Sequence, residues 1–243
     1  MFEFIKNKIL TPRQPLFTTV DLHSHLIPEI DDGTESLDIS LKLIKQMRKL
    51  GYKKLITTPH IMSHRYPNSI KIIKEGLFEL RSVLKVKNID IEIEAAAEYY
   101  FDEHFIDLIN KKEILSFGDK YVLFELPYTT RPKLLEPIIM KMNNLGYKPV
   151  LAHPERYRFL TEIVEYRKLK KLGLFFQINI NSLGGFYGEG AQKKSLMLAQ
   201  KGMIDFIGSD LHHQKHMDHF KKNIQSNHIE MVFRNNKILN DTI

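Results

Sequence analysis

Phe17-Thr18-Thr19-Val20-Asp21-Leu22-His23-Ser24-His25 reads as a short β-branched strand that ends in two histidines, and the arrangement returns along the chain. Further apolar, β-branched runs occupy Lys54–Thr58, Ile89–Ala95, Tyr121–Leu126, Pro149–Ala152, Leu174–Ile178 and Ile204–Gly208. Helical stretches separate them, among them Leu37–Leu50, Ile70–Val86, Lys133–Leu145, Tyr157–Leu172 and Gln192–Gly202. In the first helix Leu41, Ile44 and Met47 follow Leu37 at helical spacing, with Thr34 as the expected N-cap and Gly51 as a left-handed C-cap. Strands alternating with helices predict a parallel sheet, and their even spacing favours a closed (β/α)7 barrel over an open doubly wound sheet.

The residues at the carboxyl end of each strand carry the chemistry. The first strand leads into His23-Ser24-His25 and then Asp31-Asp32-Gly33; the second into Pro59-His60; the third into Glu98-Tyr99-Tyr100. The fourth contains Glu125, the fifth leads into His153-Pro154-Glu155-Arg156, and the seventh into Asp210-Leu211-His212. In a parallel barrel these strand ends converge on one face, where active sites are built. In an extended segment His23 and His25 project to the same side, because successive residues alternate faces, and Asp210 and His212 repeat the device. The candidate ligands are His23, His25, Asp32, His60, Glu98, Glu125, His153, Asp210 and His212. Nine donors exceed what one ion needs, so two or three ions fit the count. Imidazole and carboxylate without sulfur suit manganese, zinc or iron better than calcium.

Composition narrows the alternatives. The chain has no cysteine, which excludes disulfides, thiolate zinc sites and a cysteine nucleophile. Its net charge of +7 favours anionic partners but selects among none of them, and a solvated basic surface explains it equally. No apolar stretch is long enough to span a membrane. Met1–Leu10 alternates apolar and charged residues, unlike a secretory signal; an amphipathic helix packing on its own domain, or touching lipid or a partner, is the expectation. Residues 1–16 are thus an N-terminal extension to one domain over 17–243, expected in the cytoplasm.

The stretches DLHSHLIPEIDDG, TTPH, AEYYFDE, LAHPERY and GSDLHH together resemble the polymerase and histidinol phosphatase (PHP) superfamily, and within it the bacterial protein-tyrosine phosphatases that regulate capsular and exopolysaccharide synthesis. The resemblance runs from about Thr19 to His216. It implies a distorted barrel of seven parallel strands and a three-metal cluster, often assigned as manganese. It further implies hydrolysis of phosphotyrosine on a cognate tyrosine kinase. Carried over by position, the nine residues are the ligands and Glu98 bridges two ions. At the Asp31-Asp32 pair the pattern favours Asp32. Arg156 matches an arginine that holds phosphate, a task suited to its planar fork. Relatives carry another arginine after the final Asp-x-His, where this chain has His213, Gln214, Lys215 and His216. Lys215 or a histidine is expected to take its place. His64 and Arg65 are candidate substrate contacts, with a solvated loop as the equal reading. Tyr99, Tyr100 and Tyr128 are read as core before substrate frame, and the glycine-rich Gly184–Gly190 as a mobile connection bordering the pocket.

The mechanism expected is in-line attack on phosphorus by a metal-bound hydroxide, since coordination lowers the pKa of water to about 7. Phenolate leaves tolerably well, because tyrosine ionises near pH 10. A histidinol phosphatase or nuclease of the same superfamily would use the same ligands. A nuclease lacks support, as no basic stripe is interleaved with stacking aromatics. A silent binding module is the remaining alternative.

Overall fold

Strands that pair only in parallel carry the chain in the computed structural model, which describes residues 17–243. The helix expected over Met1–Leu10 lies outside the described residues. In order the strands are β1 (Val20–Leu22), β2 (Lys54–Thr57), β3 (His60–Ile61), β4 (Glu92–Ala95), β5 (Glu98–Tyr100), β6 (Tyr121–Glu125), β7 (Lys148–Ala152), β8 (Phe175–Asn179) and β9 (Phe206–Gly208). The helices between and after them are α1 (Leu37–Leu50), α2 (Ile70–Val86), α3 (Glu103–Lys111), α4 (Leu135–Asn144), α5 (Ile163–Lys171), α6 (Ile180–Leu183), α7 (Glu189–Gln200), α8 (Gln214–Asn223) and α9 (Asn227–Asn235). One sheet has the order β1-β2-β4 and the other β3-β5-β6-β7-β8-β9.

Two expected strands are each followed by a further short strand. Pro59 has no N–H to give a ladder; the run expected as Lys54–Thr58 ends before it, and His60 starts a new strand. Beside it the third run begins at Glu92 rather than Ile89 and resumes as β5. The gap is stitched by Ala96 N–H donating to Thr57 O (2.9 Å) and Glu98 N–H donating to Pro59 O (3.1 Å). At the opposite edges, Asp210 N–H donates to His23 O (2.8 Å) and His25 N–H to Leu211 O (2.9 Å), with Ser24 and Leu211 bridged in parallel. Gly208 permits that approach: a Cβ there would stand 2.1 Å from Leu22 O.

Alternate strand residues supply two separate apolar clusters. Val20, Leu22, Ile56, Leu123, Val150, Ala152 and Phe206 share one, drawn from both sheets. Their neighbours Leu55, Ile93, Val122, Phe124, Leu151 and Ile207 join the larger cluster under the helices. Period-two alternation in a sheet covered on one side by helices gives this result.

Helix α1 is capped by Ser36, whose side chain accepts from Ile39 N–H, and not by Thr34. The Thr34 hydroxyl is taken by Ser40 Oγ at 2.6 Å, which explains the shift. Gly51 closes the helix in the left-handed region (φ 105°), as expected. The helix expected from Tyr157 starts only at Ile163. Tyr157 is buried, donating its hydroxyl to Ala152 O (2.8 Å) and accepting from Leu126 N–H (3.0 Å), so the chain stays extended there. Gly184–Gly188 connect α6 and α7 as a partly exposed turn in which Gly184 abuts the Asn223 side chain, and Glu189 already opens α7.

Candidate metal centre

All nine candidate donors converge. Four overlapping groups gather ligand atoms within 4.8 Å of one another: His25/Asp32/His60/His212, His23/Glu98/His153, His23/His25/Asp210 and His60/Glu98/Glu125. They line or underlie a cavity of about 250 Å³ that also includes Tyr128, Arg156, Tyr187, His213 and His216.

The donors stand at distances that a shared cation would set, and the shortest pairs also meet hydrogen-bond geometry. Two donors about 2.1 Å from one cation sit about 3.0–3.4 Å apart for right-angle to tetrahedral geometry. Here His23 Nε2 is 3.1 Å from Glu98 Oε2 and 3.3 Å from Asp210 Oδ1, and His60 Nε2 is 3.4 Å from Asp32 Oδ1. His153 Nε2 lies 3.0 Å from Glu98 Oε1. Glu98 thus turns its two oxygens to different histidines. His25 Nε2 and His60 Nδ1 are buried yet make no hydrogen bond among the described residues. Buried polar atoms are costly unless satisfied, and cations would satisfy these. The donor set therefore fits bound divalent metal.

A second ring of residues aims the first. His23 Nδ1 is 2.8 Å from Gln177 Oε1, and His212 Nδ1 is 2.9 Å from Asp210 O, which turns each Nε2 inward. Asp31, the pair's first aspartate, is such an orienting group: its carboxylate bonds His25 Nδ1 (2.7 Å), accepts from His60 N–H (2.9 Å) and from Gly33 N–H (2.9 Å). Asp210 Oδ2 accepts from Asn179 Nδ2 (2.6 Å), Tyr187 Oη (3.0 Å) and Arg156 (3.2 Å), leaving Oδ1 to the cluster.

Three of the nine sit in the left-handed region: His23 (φ 87°), His153 (φ 34°) and Asp210 (φ 49°). For a non-glycine residue that conformation costs about 1–2 kcal/mol, and it concentrates at functional sites. Electrostatics are equally organised. Burial alone would raise Glu98, but His23 and His60 outweigh it and hold the carboxyl well below its usual range. Burial, then the Glu98 charge, pushes Glu125 well above. Burial and the Arg156 charge bring His153 down to about 4, leaving a neutral imidazole free to donate a lone pair.

The remaining candidates divide. Arg156 is at the cavity, its guanidinium between the rings of Tyr128 (4.8 Å) and Tyr187 (4.3 Å). Tyr128 therefore frames the cavity, whereas Tyr99 is core, its hydroxyl accepting from Leu115 N–H. His64 and Arg65 are exposed and outside the lining, set against Tyr100 and Tyr66. Lys215 is exposed too, with Nζ over Phe186 at 5.6 Å. The cavity face of its helix is filled instead by His213 and His216. Asn179, Tyr187 and Gln177 are functional neighbours that sequence pattern alone does not single out. Asn179 closes the sixth strand, the single strand end without a metal-type residue, and that gap is its signal.

Asp21 lies beneath the cluster and accepts from Ser209 N–H (2.9 Å) and Ser209 Oγ (2.7 Å). Burial, opposed by these bonds, pushes its carboxyl up to about 7. The folded chain therefore holds a proton that the unfolded chain, with a pKa near 4, releases. Stability from this group is complete below about pH 4 and is lost as pH rises to about 7. In chelator-treated protein, Asp21→Asn is expected to remove a loss on the order of 4 kcal/mol across that window. Urea denaturation at a series of pH values measures it, and parallel curves for the two proteins would refute it.

A family model described as "Capsular polysaccharide synthesis, CpsB/CapC" matches residues 19–237, and the chain belongs to that family. It is 30% identical to CapC of Staphylococcus aureus (79% of this chain, 76% of the relative). It is also 30% identical to the tyrosine-protein phosphatase YwqE of Bacillus subtilis strain 168 (81% and 78%) and 27% identical to the tyrosine-protein phosphatase CpsB of Streptococcus pneumoniae (79% and 82%). A crystal structure from a study of YwqE and CpsB, described there as metal-dependent tyrosine phosphatases, superposes with a TM-score of 0.76 at 27% identity, covering 90% of this chain and 96% of the other.

Proposed function

We propose that this chain is a metal-dependent protein-tyrosine phosphatase whose nine clustered donors are the metal ligands. The observation that carries the reading is their convergence beneath a cavity with an arginine at its wall. The two sheets read as one distorted barrel of seven strands, β2 with β3 and β4 with β5 each counting once. The stitching at both junctions and an apolar cluster drawn from both sheets support that closure. Residues 17–243 then form a single domain.

Two or three divalent ions, manganese first and zinc or iron next, suit a donor set of five imidazoles and four carboxylates. When bound, such ions supply an activated water at neutral pH and neutralise phosphate charge. The chain's own groups do the rest. Arg156, held flat by two rings, presents its planar fork to the non-bridging oxygens of the phosphate. His216 Nδ1 accepts from His212 N–H (3.3 Å), and burial keeps this ring neutral, so its proton sits on Nε2. His213 Nδ1 likewise accepts from His216 N–H (3.4 Å). Both rings can thus donate toward the cavity, in the role expected of Lys215 or a histidine. Tyr128 and Tyr187, which hold Arg156, also form part of the cavity wall that the aryl ring would meet. With no cysteine in the chain, no thiol attacks.

The family's link with capsule synthesis supports a phosphotyrosine-bearing partner, a cognate bacterial tyrosine kinase, met in the cytoplasm. Among the described residues no helix is long and apolar enough to cross a membrane. The test is phosphate release from a phosphotyrosine peptide by metal-stripped protein, with and without manganese. Restored release supports the reading; folded protein that releases none under any metal would move it to another phosphoester or to a silent module. Arg156→Lys is expected to lower kcat/KM by roughly 10²-fold, because an ammonium lacks both fork and stacking. Metal content should stay at the wild-type level by elemental analysis. Wild-type kcat/KM would remove Arg156 from the phosphate site.

A further inference from the structure

The metal cavity has a larger neighbour, about 480 Å³, with which it shares the wall made by Tyr128, Arg156 and Tyr187. Arg156 donates on the metal side to Asp210, and its other guanidinium N–H groups make no hydrogen bond among the described residues. Two more cations line the second cavity. Arg158 is exposed, and only its backbone is engaged, through N–H to Tyr128 O (2.8 Å). Lys194 donates to Tyr157 O and Leu160 O, leaving its third N–H. Thr129, Glu155, and Gly190 and Ala191 in the first turn of α7 complete the lining, and this helix has no side-chain cap. Its first amides therefore lack acceptors and favour an anion.

The one carboxyl in this lining is Glu155. Its Oε1 already accepts from Ser182 Oγ (2.6 Å) and Asn179 N–H (3.0 Å). Its Oε2 is fully buried and without a partner among the described residues, so it presents no open charge to the hollow. Three cations and open amides against one engaged carboxyl make a basic hollow. It adjoins the metal cavity across the wall of Tyr128, Arg156 and Tyr187, where the residues beside a bound phosphotyrosine would pass.

We propose that this second cavity is a substrate subsite for an oxyanion carried by the peptide beside its phosphotyrosine, either an acidic side chain or a second phosphate. The inference rests on the phosphatase reading and adds sequence preference to it. Arg156 serves both cavities, whereas Arg158 and Lys194 serve the flank alone.

Three phosphotyrosine peptides of equal length test it, with neutral flanks, with glutamate flanks and with a second phosphotyrosine. Wild-type protein is expected to favour the acidic peptides over the neutral one by about tenfold in kcat/KM, less at high salt. In Arg158→Glu that ratio should fall to about one or invert, and Lys194→Gln should reduce it. Equal preference for glutamate and second phosphate assigns a carboxylate-sized site; a larger preference for phosphate assigns a phosphoryl site. Fluorescence anisotropy with the same peptides reads the ratio without turnover. A wild-type ratio near one, or one unchanged in Arg158→Glu, overturns the subsite. Manganese-dependent release from a small aryl phosphate reports on the phosphatase reading separately, so the two can fail independently.

Discussion

Asp210→Asn is expected to abolish phosphate release while leaving the fold intact. Asparagine matches aspartate in size and tolerates the left-handed backbone found at this position (φ 49°). What it cannot do is present two acceptors. Oδ2 receives Asn179, Tyr187 and Arg156, while Oδ1 faces His23 and His25. An amide nitrogen in either place opposes three donors or removes an anionic ligand from the cluster. Loss of one transition-state donor typically costs about 10²–10³-fold in rate. Here a ligand and the anchor of Arg156 go together, so the loss should exceed that range. Phosphate release, with circular dichroism to show folded protein, measures it, and His153→Ala should behave alike. Turnover near wild type in either variant would defeat the ligand assignment.

Stripping the protein with a chelator should extinguish activity and also lower its thermal midpoint. Without cations, Asp32, Glu98, Glu125 and Asp210 crowd one cavity with imidazoles and the single guanidinium of Arg156 to offset them. The opposite displacements of Glu98 and Glu125 mark that crowding. An ion that binds only the folded chain adds about 2.7 kcal/mol at a hundredfold excess over its Kd. For a chain of this size each kcal/mol moves Tm by about 2–4 °C, so one ion is worth at least about 5 °C. Calorimetry on stripped protein, then on protein refilled with manganese, zinc or iron in turn, ranks the metals. An unchanged Tm with full turnover after chelation would sink the metal centre altogether.

Much of the site is legible in the sequence because its donors stand at strand ends, where apolar runs give way to histidine and carboxylate. The convergence of parallel strand ends points to eight of the nine, and the choice of Asp32 over Asp31 rests on the family pattern. The groups behind them are harder to see. Gln177 lies within an apolar strand and differs from any buried amide only by facing His23. Asp31 and Asp32 are adjacent and alike in type, and only the turn at Gly33 decides that Asp31 looks back to His25. Strand and helix boundaries depart from expectation in two places: after Pro59, where the chain resumes as a further short strand, and at Tyr157, whose buried hydroxyl holds the chain out of helix. Helix α8 leaves little trace in the sequence because Met217 and Phe220 are its only buried apolar residues among His216, Asn223 and a basic surface.

The left-handed turns at His23, His153 and Asp210 bear on how such a protein would age. Each is a position where a bulky or branched side chain is penalised and glycine or asparagine is not. While the chemistry is needed, the chain tolerates that strain; once it is not, every relaxing substitution stabilises the fold, an instance of the trade-off between stability and activity. A descendant released from selection for turnover should therefore change first at positions 23, 153 and 210, toward glycine or asparagine, before its apolar interior changes at all. Such a sequence would look like a well-folded relative and would be a retired enzyme.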